Sequence, residues 1–188
     1  HLPGAAPRQS QVIYYRAGSA GSRLSVADVA GAASLFDGAR WLHVTGITPA
    51  LSATAAAAVE AAIERAHAHR LTVSLDLNIR RKLWSEARAA AVLGALAARS
   101  DVVLGGLDEV ALVGGLASSL EAGAGIDPEE AADGLLRLGP RIVVVKLGAA
   151  GALERARGSS TVRQAGITVS RPVDPVGAGD AFTAGYIA

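Results

Sequence analysis

Near the C-terminal end, the string Asp174-Pro175-Val176-Gly177-Ala178-Gly179-Asp180-Ala181-Phe182-Thr183-Ala184-Gly185 sets carboxylates beside nearly bare backbone. Gly177 and Gly179 flank one alanine, so almost no side-chain bulk covers the main chain there. Residues 181–188 are small and apolar, with helical character. The segment reads as a loop feeding the N-terminus of a helix, where unpaired backbone N–H groups and the helix dipole attract anions. Asp180 falls in the first turn, beside that anion pocket. A carboxylate there repels phosphate. The arrangement makes chemical sense if Asp180 takes the proton from a hydroxyl that is about to attack the phosphorus. The plain alternative is an acidic helix start with no chemistry, since Asp is favoured in a first turn.

Other reactive side chains follow predicted strands. After the strand at 71–75 comes Asp76-Leu77-Asn78-Ile79-Arg80-Arg81-Lys82-Leu83-Trp84, a dense polar cluster. Arg80 there is able to grip a carboxylate or phosphate through two parallel hydrogen bonds, or else is one of several solvated cations in a loop. In the N-terminal strand at 11–16, alternation puts Tyr14 and Arg16 on one face. After the strand at 142–145, Lys146 is placed either to approach phosphates or to reach solvent, and Gly148, with Gly151 after it, permits close backbone approach to a ligand. His67 and His69 are two apart on a helix and do not share a face, so they make a poor metal pair.

These residues need a scaffold, and the pattern supplies one. Strands are predicted at 41–45, 71–75, 101–104 and 142–145. Helices are predicted from a Ser25/Asp28 capping box to Phe36, from Ser52 to about His69, from Ser85 to about Arg99, and from Asp127-Pro128 onward. The link from 105 to the Asp127 start reads as a Gly-rich, acidic loop, with 118–125 as its mobile part or a short insertion. Near-continuous apolar strands alternating with helices imply a parallel sheet covered on both faces. A hairpin is expected around Arg157-Gly158-Ser159-Ser160. In open α/β sheets ligands bind outside the C-terminal strand ends, where the polar clusters fall.

Composition narrows the field. The chain has 188 residues, enough for one domain with a sizeable core. Its net charge of +1 argues against a nucleic-acid partner held by bulk electrostatics. It has no cysteine, which removes thiolate catalysis and Cys-based metal sites. No apolar run is long enough for a transmembrane helix, and no signal peptide pattern opens the chain, so a cytoplasmic protein without a membrane partner is expected. The chain opens at His1 with no methionine and stops inside a predicted helix, which leads us to expect a fragment of a longer protein. A dinucleotide fingerprint fits badly: the sixth position of the Gly-x-Gly string is Phe182, and its glycines come last in the chain. A Walker-type phosphate loop is absent from the sequence.

Asp-x-x-Gly-Ala-Gly-Asp-x-Phe, from Asp174 to Phe182, resembles the C-terminal signature of the ribokinase-like (PfkB) carbohydrate kinases. Within that family, Asp76-x-Asn78-x-Arg80-x-x-Leu83-Trp84 and Tyr14-Tyr15-Arg16-Ala17-Gly18-Ser19-Ala20 resemble segments of the 2-keto-3-deoxygluconate kinases. The resemblance runs from Tyr14 to Gly185 in the family's order. It implies a three-layer α/β/α sandwich with a small β lid, residues 1–24 belonging to the lid and its connection and 25–188 to the kinase core. It implies an anion hole at Gly177, Ala178 and Gly179, a catalytic base at Asp180, and sugar-acid contacts at Tyr14, Arg16, Asn78 and Arg80. It also implies nucleotide contacts at Lys146, Gly148, Gly151, Gly177 and Gly179, with ATP and Mg²⁺ as cofactors. Glu109 matches the family's magnesium-supporting Glu, but Gly106 stands where the family has Asn, so Glu109 acts through water or caps the helix. Pro175 stands where Thr is usual. The implied reaction is ATP-dependent phosphorylation of a sugar acid. The alternatives are a ribokinase- or fructokinase-type kinase of a neutral sugar, and a non-catalytic nucleotide-binding protein on the same fold. A homo-oligomer is left open.

Overall fold

The computed structural model describes residues 16–121, 125–170 and 176–188. Tyr14 and Asp174, named above, lie outside the described residues. Six strands form one sheet in the order β1-β2-β3-β4-β5-β6: Trp41–Thr45, Thr72–Asp76, Val102–Gly106, Ile142–Lys146, Ala152–Ala156 and Val162–Gln164. β1 to β4 are parallel, and β5 and β6 return antiparallel as the expected hairpin. The helices are α1 (Val26–Gly31), α2 (Ile47–Leu51), α3 (Ala53–Ala68), α4 (Glu86–Ala97), α5 (Leu107–Val113), α6 (Ala117–Glu121), α7 (Pro128–Leu136) and α8 (Ala178–Ile187).

The helix starts follow from their caps. The hydroxyl oxygens of Ser52 and Ser85 accept from the Ala55 and Arg88 amides, and the Asp127 carboxylate accepts from the Glu129 amide ahead of Pro128. Each satisfies an N–H that the helix itself leaves unpaired. The Ser25/Asp28 box forms as expected, with the Ser25 amide donating to Asp28 at 2.8 Å. That helix stops at Gly31 instead of reaching Phe36, and a 3₁₀ turn over Ala33–Phe36 carries Phe36 into the core. Glycine and a short run favour the break.

Two other stretches differ from expectation. The acidic segment after β3 is not a loop: its Val110-Ala111-Leu112-Val113 run forms the buried face of α5. The 118–125 string begins as α6, and its residues 122–124 lie outside the described residues. α2 carries Pro49 in its first turn, where no amide donor is needed.

The two sheet faces are unequal. Val73, Leu75, Val103, Val143, Val145 and Leu153 point toward α3, α4, α5 and α7 and build the large core. The opposite face presents Val102, Leu104 and Val144 to a small cluster completed by Tyr186 of α8. Among the described residues, α8 is the helix on this second face. The register aligns Thr45 with Asp76 and Gly106 with Lys146, so the C-terminal ends of β1 to β4 form one rim beside the first turn of α8.

Candidate active site

Gly177 caps the N-terminus of α8, and its φ of 79° is in the left-handed region that glycine enters without strain. Ala178, Gly179 and Asp180 then form the first turn, exposed at the rim. Beneath it sits a charged cluster. Asp76, the last residue of β2, is only 2% exposed. Its two oxygens accept from the Lys146 ammonium at 2.9 and 2.8 Å, and one also accepts from the Thr183 hydroxyl at 3.0 Å. A β-carbon built on Gly179 would lie 3.9 Å from the Lys146 Nζ. The ammonium thus rests between a buried carboxylate and the backbone of the α8 start.

A concavity of about 500 Å³ opens beside this cluster, lined by His43, Thr45, Asp76, Asp180 and Thr183 among others. Ser74 Oγ accepts from the Trp41 indole N–H at 2.8 Å and lies 2.7 Å from His43 Nδ1. With the indole already donating to Ser74, a Ser74 hydroxyl that donates to Nδ1 completes the set and leaves the imidazole proton on Nε2. Burial lowers the His43 pKa, helped by Lys146 and opposed by Asp76 and Asp180. The folded protein therefore favours a neutral ring, while the unfolded ring protonates at about 6.5. This contribution to stability is present above that value and is lost progressively as pH falls from it toward and through the lower folded-state pKa. We expect the melting temperature to drop between about pH 7 and pH 5, and His43→Gln to flatten that decline. An unchanged pH dependence in the variant would contradict this.

The remaining predicted residues fall at the same rim or short of it. Gly148 has φ 59° and open space where a β-carbon would stand. Gly151 has φ 102°, and a β-carbon there would collide with the Gln164 carbonyl, so the β5–β6 hairpin already requires glycine. Asn78 is half-buried with φ 36°, a left-handed conformation that Asn tolerates better than most residues. Arg80 is exposed, and its neighbour Arg81 is committed to Glu86 at 2.6 Å. Arg16 is half-buried just before the 3₁₀ turn Gly21–Arg23, which packs on α2 and α3.

Glu109 caps the start of α5. Its carboxylate accepts from the Ile79 amide at 2.6 Å and the Gly106 amide at 2.9 Å, so it pins the Asn78–Arg80 loop to the start of α5. Each oxygen already holds a backbone donor. Among the described residues no group of three His, Asp or Glu side chains converges on one point. The described side chains therefore do not form a direct Mg²⁺ cage. The sequence assigned no role to Asp76, although it opens the Asp-x-Asn-x-Arg motif, and did not single out Thr183 or His43. The available signal was a charged residue ending each of two buried strands, Asp76 on β2 and Lys146 on β4.

The Gly-Ala-Gly-Asp start of α8 thus lies at the C-terminal rim of a mostly parallel sheet. The pfkB family carbohydrate kinase model matches residues 6–188, and the chain belongs to that family. It is 39% identical to the 2-dehydro-3-deoxygluconokinase of Thermoproteus tenax over 190 residues, covering all of this chain and 53% of that protein. It is 36% identical to the 2-dehydro-3-deoxygluconokinase of Bacillus subtilis over 178 residues, covering 94% of this chain and 51% of that protein. The chain thus spans about half the length of these curated relatives. A PfkB protein from Polaromonas sp. JS666 superposes with a TM-score of 0.79 at 36% identity, over 98% of this chain and 56% of that one. An E. coli protein described as a ribokinase II, in complex with ATP and Mg²⁺, superposes with a TM-score of 0.73 at 25% identity, over 88% and 49%. No helix among the described residues is long and apolar enough to cross a membrane.

Proposed function

We propose that the protein is an ATP-dependent kinase of a sugar acid, converting 2-keto-3-deoxygluconate (2-dehydro-3-deoxygluconate) to its 6-phosphate. The observation that carries the reaction is Asp180 in the first turn of α8, directly after the Gly177–Gly179 backbone, whose Gly179 lies close to the Lys146 ammonium. Asp180 draws the proton from the terminal hydroxyl as its oxygen bonds to the γ-phosphorus. The bond between that phosphorus and the bridging oxygen breaks, and ADP leaves with the electron pair. The amides at 177–179 and the Lys146 charge stabilise the transferring group. Mg²⁺ is expected to enter with the nucleotide, and no step is assigned to it through these side chains. The names of the relatives from T. tenax and B. subtilis support the substrate class. So do Arg16 and Arg80, because a neutral sugar needs no guanidinium. Tyr14, Arg16, Asn78 and Arg80 are assigned to the sugar acid, and Lys146, Gly148 and Gly151 to the nucleotide side.

Arg80 gives the test. A charge-assisted hydrogen bond contributes about 1.5–3 kcal/mol, so Arg80→Ala should lower kcat/KM for the sugar acid by about one to two orders of magnitude. Arg80→Lys should restore only part of this, since an ammonium cannot reproduce the planar fork. Rates with ribose or fructose should be low in the parent and barely respond. A full-length enzyme that prefers ribose or fructose would replace this reading with a neutral-sugar kinase.

A further inference from the structure

Asp76 is the most deeply buried charged side chain at the rim, and the sugar-acid reading gives it no task. A buried carboxylate is unfavourable unless hydrogen bonds and opposite charge compensate it. Here the compensation comes from two distant parts of the chain: Lys146 on β4 and Thr183 on α8, 70 and 107 residues away. Lys146 is itself held, with its side chain only 20% exposed. Thr183 is buried and lies three residues after Asp180, so the two share a face of α8. Both line the concavity that Asp76 and His43 also border.

Resting on the phosphoryl-transfer site proposed above, we infer that Asp76 is a positioning residue for that site. It performs two tasks from one carboxylate. It holds the Lys146 ammonium beneath Gly179, where a flexible lysine would otherwise sample many rotamers. Through Thr183 it sets the rotation of α8 about its axis, and so the direction in which Asp180 projects. In this role Asp76 acts without contacting either substrate. Its effect on catalysis passes through Lys146 and Asp180.

This arrangement has a signature that a merely structural residue lacks. Asp76→Asn removes a negative charge close to the phosphate site, so MgATP should bind the full-length protein, without sugar, at least as tightly as in the parent by calorimetry. At the same time kcat should fall by about tenfold or more, because Lys146 and α8 lose their anchor. Thr183→Val keeps the shape and removes the hydroxyl. It should lower kcat several-fold with the MgATP dissociation constant unchanged, and Thr183→Ser should restore turnover. Should Asp76→Asn fail to fold, the Val/Ser pair at Thr183 decides the matter alone. Parental kcat in Asp76→Asn, weaker MgATP binding that parallels its lost kcat, or equal behaviour of Thr183→Val and Thr183→Ser would overturn the inference. The substrate reading fails separately, on the acceptor that the parent prefers; the variant-to-parent ratios are taken with whichever acceptor that is.

Discussion

Asp180→Asn is expected to reduce kcat by about two to four orders of magnitude, the usual range for loss of a general base. The side chain is exposed in the first turn of α8, so an amide of the same shape fits without disturbing packing. The amide cannot accept the hydroxyl proton. MgATP affinity should hold or rise, since a negative charge leaves the neighbourhood of the γ-phosphate. Steady-state kinetics on the full-length enzyme, paired with a nucleotide titration, separates the two effects. Turnover within a few-fold of the parent would remove Asp180 from the mechanism.

Gly179→Val should have the second largest effect. Position 179 is helical, so a side chain there meets no left-handed backbone strain, and the nearest atom to a new β-carbon is the Lys146 Nζ at 3.9 Å. The fold should therefore survive by circular dichroism. The two methyl groups would occupy space between the ammonium and the α8 amides, which the phosphoryl group needs. We expect turnover to fall by about two orders of magnitude or more, comparable to losing a preorganised oxyanion donor. A variant that keeps parental kcat would make the bare backbone at 177–179 a structural feature only.

Much of this was readable from the chain because local and global signals agree. The caps at Ser52, Ser85 and Asp127 mark helix starts that the structure keeps. Apolar strands ending in polar residues pointed to the rim of the sheet where the start of α8 lies. The α5 segment was misread because two glycines and two acids precede its apolar run, and local composition outweighed a helix that is stabilised by burial against α7. Glu109 shows a different limit. Its residue type suits metal support or capping equally, and only the positions of the Ile79 and Gly106 amides favour capping. The motif that Asp76 opens gave no hint of its pairing, because its partners lie on β4 and α8. Pairings over such separations are set by topology rather than by spacing in the sequence.

The central claim is phosphoryl transfer from ATP to the terminal hydroxyl of a sugar acid at the α8 start. Its most direct measurement is ³¹P NMR of the product formed by the full-length enzyme from ATP and 2-keto-3-deoxygluconate, with ribose and fructose run in parallel. The account predicts ADP together with one phosphomonoester on the 6-hydroxyl of the sugar acid, and little product from either neutral sugar. A phosphorylated ribose or fructose formed in preference, or ATP left unconsumed with all three, would contradict it.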